Sequence, residues 1–317
     1  MTSKTCGKDK LRKKNKNLFA GRERIAMKNL PANIKIGTCS WKYDSWKGLV
    51  YSDHVGKDYL REYAQHYNLV EVDQWFWSLF GDKVVMPNPD VIAEYVASVP
   101  KDFRFSIKVP NAITLTHQYS KRVLESNPHF LSNDLMEEFL DLLSPMDKQI
   151  NSLIFQFEYL NKQKMPNQIV FQEQLQEFFQ KIPSKFHYCI EIRNQNYLNN
   201  RYFEFLEATK LSHVFLQGYW MRSIFQVYGH FQKYIKNHTV IRLHGPDRKG
   251  IEQQTQNQWN AIVDPKDGEL HKLRNMINSL LAREVKVTLN INNHYEGSAP
   301  MTIDRFVKLF LGDVFSI

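Results

Sequence analysis

Along the chain, short stretches with apolar residues at every second place alternate with longer ones whose apolar residues recur at three- and four-residue intervals. The short kind falls near 34–39, 69–73, 103–109, 153–157, 187–193, 213–217, 239–244 and 285–292, and a period of two predicts strands. Between most of them lie "YLREYAQHY", "LMEEFLDLL", "LQEFFQKI" and "LHKLRNMINSLL", with "MTIDRFVKLFL" after the last; their spacing predicts helices with one apolar face. Eight strands with helices between them fit a parallel sheet closed on itself, so the pattern predicts an α/β fold, an eightfold β/α (TIM-like) barrel. No Gly-rich linker divides it and no internal repeat is apparent. Residues 34–317 are therefore read as one barrel domain, its pattern closing near 312, and residues 1–33 as a disordered basic tail.

In a barrel, one side of each strand meets the helices and the other points into the interior. Ile34 and Ile36, Val70 and Val72, Phe105 and Ile107, Ile190 and Ile192, Ile241 and Leu243, and Leu289 and Ile291 form outward sets. Their neighbours turn inward: Glu71 and Asp73, Arg104 and Lys108, Glu191 and Arg193, Arg242 and His244, Asn290 and Asn292, with Gln156 and Gln217 expected to join them. Barrel interiors are ordinarily filled by Val, Ile and Leu, whereas this one is ionic. Buried ions cost several kcal/mol each unless paired, so these groups must neutralise one another or a ligand. Because many of them fall at the C-terminal ends of strands, where barrels place their chemistry, the expected arrangement is an open polar site.

Composition allows this without forcing it: 317 residues, 43% of them hydrophobic and 13% aromatic, supply a sizeable core. Net charge is +9, but residues 1–28 hold ten Lys and Arg against Asp9 and Glu23, which is +8 and leaves +1 for the rest. The basicity belongs to the tail, which offers an electrostatic contact to nucleic acid or reads as a solvated leader; Met27 is an alternative start. The tail has no apolar core of a secretion signal, and no apolar run of about 18 residues occurs anywhere, so no membrane span is expected. Cys6, Cys39 and Cys189 are odd in number and lack close spacing, which argues against a disulfide framework or a structural zinc site and favours a reducing cytoplasm.

Aromatic residues gather after the strands: Trp41, Tyr43 and Trp46; Trp75, Phe76 and Trp77; Tyr219 and Trp220; and Tyr295. Such rings can stack on a sugar or nucleobase, or simply pack loops over the barrel top. "LHGPDRKG" and "NNHYEGSAP" follow the seventh and eighth strands, where barrels often bind phosphate.

"IGTCSWKYDSWKG", "VEVDQWFW", "FSIKVPNAIT" with His117, "IFQF", "EIRNQNY", "IRLHG" and "NNHYEGSAP" occur in the order seen in one family, and the chain resembles the domain of unknown function 72, or YecE-like, family. The resemblance implies a β/α barrel and no agreed activity. It carries over to Gly37, Thr38, Trp41, Glu71, Lys108, Gln156, Glu191, Arg193, Arg242, His244, Asn292, Asn293 and Pro300. The chain departs from it at Cys39-Ser40, where Ser-Gly is usual, at Asp73-Gln74-Trp75, where Asn-Ser-Thr is usual, and at Asn194-Gln195, where His-Pro is usual. Those departures count against Cys39 and Asp73 as indispensable catalysts, and Cys39 is read as a small wall residue.

The leading expectation is an enzyme acting on a small anionic substrate by general acid/base chemistry without a metal. Glu71, Lys108, Glu191 and His244 are its catalytic candidates; Trp41, Asp73, Gln156, Arg193, Arg242, Asn292, Asn293 and Tyr295 are its substrate-binding candidates. Lys108 can pair with carboxylates, stabilise developing negative charge or, once deprotonated, attack a carbonyl. One alternative is a metal-dependent phosphoesterase or endonuclease-like barrel, in which His117, His244 and His294 join Glu71, Asp73 and Glu191 around a cation. Another is a non-catalytic module for a nucleotide or nucleic acid. No cofactor is indicated.

Overall fold

The computed structural model describes residues 27, 29–54, 56, 59–119 and 124–312; the basic stretch 1–26, with Cys6, lies outside them. Ten strands occur among the described residues: β1 (Ile34–Thr38), β2 (Leu69–Val72), β3 (Leu79–Phe80), β4 (Lys83–Val84), β5 (Arg104–Lys108), β6 (Ile150–Gln156), β7 (Tyr188–Glu191), β8 (Ser212–Gly218), β9 (His238–Gly245) and β10 (Lys286–Ile291). Eight of them close a barrel in the order β1-β10-β9-β8-β7-β6-β5-β2, every pair parallel. The eightfold β/α barrel read from the pattern is the fold. β3 and β4 form a separate antiparallel pair after β2, too short for a periodic signal.

Around the barrel run α1 (Tyr59–Tyr63), α2 (Pro89–Ser98), α3 (Asn111–Thr114), α4 (Asn133–Leu142), α5 (Gln168–Lys181), α6 (Asn200–Thr209), α7 (Ile224–Phe231), α8 (Arg248–Thr255), α9 (Asp267–Ala282) and α10 (Ala299–Leu311). Their starts follow local chemistry. Asn167 Oδ1 accepts the N–H groups of Ile169 and Val170, and Ser132 Oγ accepts that of Leu135, satisfying donors that a helix start leaves orphaned. The outward strand residues pack with these helices in one continuous core that includes Ile36, Val72, Phe105, Phe155, Ile190, Phe215, Ile241 and Leu289. None of the described helices is long and apolar enough to cross a membrane.

The interior is layered. Ile154, Cys189, Val214 and Val240 form a small separate apolar cluster, one residue pair below Gln156, Glu191, Leu216 and Arg242 on the same strands. Gly37 permits the closure of β1 onto β2: a Cβ there would stand 2.0 Å from the Leu69 carbonyl oxygen, well inside contact distance.

Candidate functional site

Alternation places Glu71 on β2, Glu191 on β7, Arg242 on β9 and Asn290 on β10. These strands are not all neighbours, so bonds among these side chains cross the barrel's centre. Arg242 donates from Nε to Glu71 Oε2 at 2.8 Å and from Nη2 to Glu71 Oε1 at 2.6 Å. Its Nη1 donates to Glu191 Oε2 and, at 3.4 Å, to Gln156 Oε1. Asn290 Nδ2 donates to Glu71 Oε2 at 3.1 Å, and Arg193 Nη2 pairs with Glu191 Oε1 at 2.5 Å. Two carboxylates and two guanidinium groups thereby neutralise one another.

Glu71, Glu191 and Arg242 have at most 1% of their surface exposed. Burial raises the Glu191 carboxyl's affinity for a proton, yet Arg242 and then Arg193 overcome that and hold it down at about 2; the neighbouring carboxylates hold Arg242 firmly protonated. Arg193 is less enclosed. Its guanidinium lies 4.8 Å from the Tyr219 ring centroid, and its Nε has no hydrogen-bond partner among the described residues.

Two further ionisable groups share this floor without such a partner. Asp73 and Lys108 form no ion pair within 4.0 Å among the described residues. Burial, and then the charge of Glu71, push Asp73 up from 3.8 to about 6. Burial, and then the charge of Arg242, lower Lys108, whose Nζ lies 4.1 Å from the Phe76 ring centroid. Beside them, His244 Nε2 is 3.6 Å from Cys39 Sγ, and its Nδ1 is 3.1 Å from the Tyr219 hydroxyl. Burial and the Arg242 charge keep this imidazole neutral; burial and the Glu71 charge keep Cys39 a thiol. The short Cys-His distance, which spacing did not foretell, is thus no thiolate pair.

Lys108, Glu71, Glu191, His244, Asp73, Gln156, Arg193 and Arg242 are gathered at one end of the barrel. Five expectations need correction. Trp41 is fully buried, its ring edge-on to Tyr95 of α2 at 5.2 Å, so it packs a helix instead of facing a ligand. Tyr295 is also fully buried and gives its hydroxyl to Glu269 of α9 at 2.8 Å. Asn293 Oδ1 accepts the Ala299 N–H at 2.9 Å, fixing the start of α10. Gln217 faces the helical layer: its Nε2 donates to Glu269 at 3.0 Å and its Oε1 accepts the Ile224 N–H. Asn292 is partly exposed, but its Oδ1 is engaged by His294. Arg104, counted inward, binds the carbonyls of Lys101 and Phe103 at the far end of the barrel.

The three histidines of the metal reading do not converge. His117 contacts Thr116 at 3.0 Å, His294 contacts Glu252 at 3.1 Å, and His244 holds the partners given above. Among the described residues, no group of three or more His, Cys, Asp or Glu is arranged to hold a metal ion.

Next to this floor opens a cleft of about 1290 Å³, bounded by Phe76, Tyr119, Gln156, Tyr159, Arg193, Tyr219, Trp220, Arg248 and Lys249 among others. Tyr119, Tyr159 and Lys249 were not singled out by the pattern: the two tyrosines stand in loops where no period marks them, and Lys249 lies in the first turn of α8.

Fold and site together define a parallel β/α barrel with a self-neutralised ionic floor at its mouth. The family model described as "Protein of unknown function DUF72" matches residues 35–313, and the chain belongs to that family. Escherichia coli K12 "UPF0759 protein YecE" is 28% identical over 165 residues, 52% of this chain and 50% of YecE; the match thus spans about half of that relative. Among solved structures, a DUF72 family protein from Enterococcus faecalis is similar with a TM-score of 0.62 at 19% identity, over 88% of this chain and 95% of the other. Another from Thermotoga maritima gives 0.61 at 18% identity, over 88% and 99%. At such identities the likeness shows the shared fold.

Proposed function

We propose that the protein is an enzyme acting on a small phosphate- or carboxylate-bearing substrate by general acid/base chemistry, with Asp73 as the proton carrier. One observation carries the reading: once Glu71, Arg242, Glu191 and Arg193 have neutralised one another, Asp73 and Lys108 remain as ionisable groups without an ion-pair partner on the same floor. A carboxyl poised near 6 exchanges protons at neutral pH far more readily than one held at about 2, which moves this role away from Glu191. Arg193, which lines the cleft with 21% of its side chain exposed, orients the anion, and Gln156 assists. Lys108 lies where an ammonium can stabilise negative charge developing on the substrate. His244, neutral, serves as a hydrogen-bonding wall.

Asp73 is this chain's own departure from the family pattern, so the proton-transfer step is proposed for this protein and not for its relatives. The metal-dependent alternative is weaker because Glu71 and Glu191, two of its three carboxylates, are already committed to Arg242.

The test is parallel incubation of wild-type protein and Asp73→Asn with a small-molecule cell extract, followed by mass spectrometry. At least one phosphate- or carboxylate-bearing compound should be consumed by wild type, and about 100-fold more slowly by the variant. The wild-type rate should fall as pH drops through about 6 if Asp73 acts as the base. An extract left unchanged by wild type, or consumed equally by the variant, overturns the proposal.

A further inference from the structure

We propose that the cleft takes an adenine nucleotide, its base stacked on the rings of Tyr119, Tyr159 and Trp220 and its phosphate held by Arg193 and Lys249. This inference rests on the anionic-substrate reading above and names its substrate class. Five large aromatic side chains stand out in solvent among the described residues: Trp77, Phe80, Tyr119, Tyr159 and Trp220, at 59–87% exposure. Exposed apolar residues normally scatter singly. Here three of the five line one cleft, and a fourth, Trp77, packs on Tyr119 with ring centroids 5.9 Å apart.

These are not the rings that hold the loops together. Trp41, Trp46 and Trp75 do that from buried positions; of the exposed set Trp77 packs on Phe76 and Tyr119, whereas Tyr159 and Trp220 make no ring contact among the described residues. Flat faces without partners suit a ligand that has flat faces of its own.

Charge and hydrogen bonding favour a nucleotide over a plain sugar. Of the carboxylates on the cleft wall, Glu158 pairs with Lys164, and Asp247 caps α8, its Oδ1 accepting the Gly250 N–H at 2.9 Å. Cations are available on the wall, since Lys249 has no ion pair among the described residues and Arg193 lines the cleft with 21% of its side chain exposed. Gln195 and Asn196 also line the cleft with exposed side chains, and amides supply the paired donor and acceptor that an adenine edge requires.

Calorimetric titration of the full-length protein with AMP, and separately with ribose 5-phosphate, tests this. AMP should bind at least about 5-fold more tightly than ribose 5-phosphate, the lower end of what one stacked base contributes. Trp220→Ala and Tyr159→Ala, both at exposed positions where the fold is not at stake, should each weaken AMP about 5-fold and leave ribose 5-phosphate unchanged. Equal affinity for the two ligands, or AMP binding untouched by both substitutions, overturns the nucleotide while leaving the anionic-substrate reading intact. Failure of both ligands to bind overturns the nucleotide, and the extract experiment then decides the broader reading independently.

Discussion

Replacing Asp73 by asparagine is expected to stabilise the protein at neutral pH even though it removes the proposed proton carrier. The folded protein holds the Asp73 carboxyl at about 6 against an ordinary value of 3.8. Between those values the unfolded chain releases this proton while the folded chain retains it, so stability falls as pH rises. Each pH unit is worth about 1.4 kcal/mol, and the whole interval up to about 3 kcal/mol. Below 3.8 both states are protonated and above about 6 both are ionised, so the penalty is absent at the acid end and constant at the other. Asparagine keeps the shape and never ionises. Urea unfolding of wild type and Asp73→Asn should therefore give equal stabilities near pH 3.8, a gap that widens to about pH 6, and a plateau of up to about 3 kcal/mol in favour of the variant. A gap that does not grow over this range, or a variant less stable at pH 8, refutes the assignment of Asp73 as a buried carboxyl lacking a partner.

Arg242→Met should cost about 3–5 kcal/mol in the same assay, because it leaves the buried Glu71 carboxylate without a cation and Glu191 with Arg193 alone. Wild type gains stability from Glu191 above its ordinary 4.5 and loses it as pH falls toward about 2; in the variant acidification should stabilise instead, and an unchanged acid profile would show that Arg242 does not hold this group. Tyr295→Phe removes one hydroxyl from Glu269, which keeps its bond from Gln217. It should cost about 1 kcal/mol and leave AMP affinity unchanged, whereas weaker AMP binding would return Tyr295 to the site. Gly37→Ala forces a Cβ to 2.0 Å from the Leu69 carbonyl, so β1 and β2 must part; a loss of about 3 kcal/mol is expected, and a thermal unfolding midpoint equal to wild type would contradict the close approach.

Alternation was legible wherever the two sides of a strand differ in polarity. Val70-Glu71-Val72 and Ile241-Arg242-Leu243 declare their inner residues, and those residues meet across the barrel. His213-Val214-Phe215-Leu216-Gln217 has apolar residues on both sides, so nothing in its polarity tells which side the terminal Gln217 takes; Phe215 belongs to the outer core, and Gln217 follows it outward. Loops carry no period at all, which is why Trp41 and Tyr295 were expected at the mouth when their rings are buried. Which carboxylates would be consumed by which cations was also beyond the pattern, because the bonds from β2 to β9 and from β9 to β7 exist only once the sheet closes.

The locked part of the floor and its unpaired part have different physical standing. A bidentate Arg242–Glu71 pair extended to Glu191 and Arg193 satisfies its own charges, so it fixes geometry without a ligand and has little affinity left for one. Asp73 and Lys108 do the opposite: each is enclosed, each is displaced toward its neutral form by burial, and the barrel would lose no ion pair among the described residues if both were apolar. On the proposed function, groups that weaken the empty protein in this way are retained for what they do to a bound molecule. A substrate's negative charge would then be met by Lys108 and Arg193 and its proton by Asp73, while the self-neutralised network beneath them keeps its bonds.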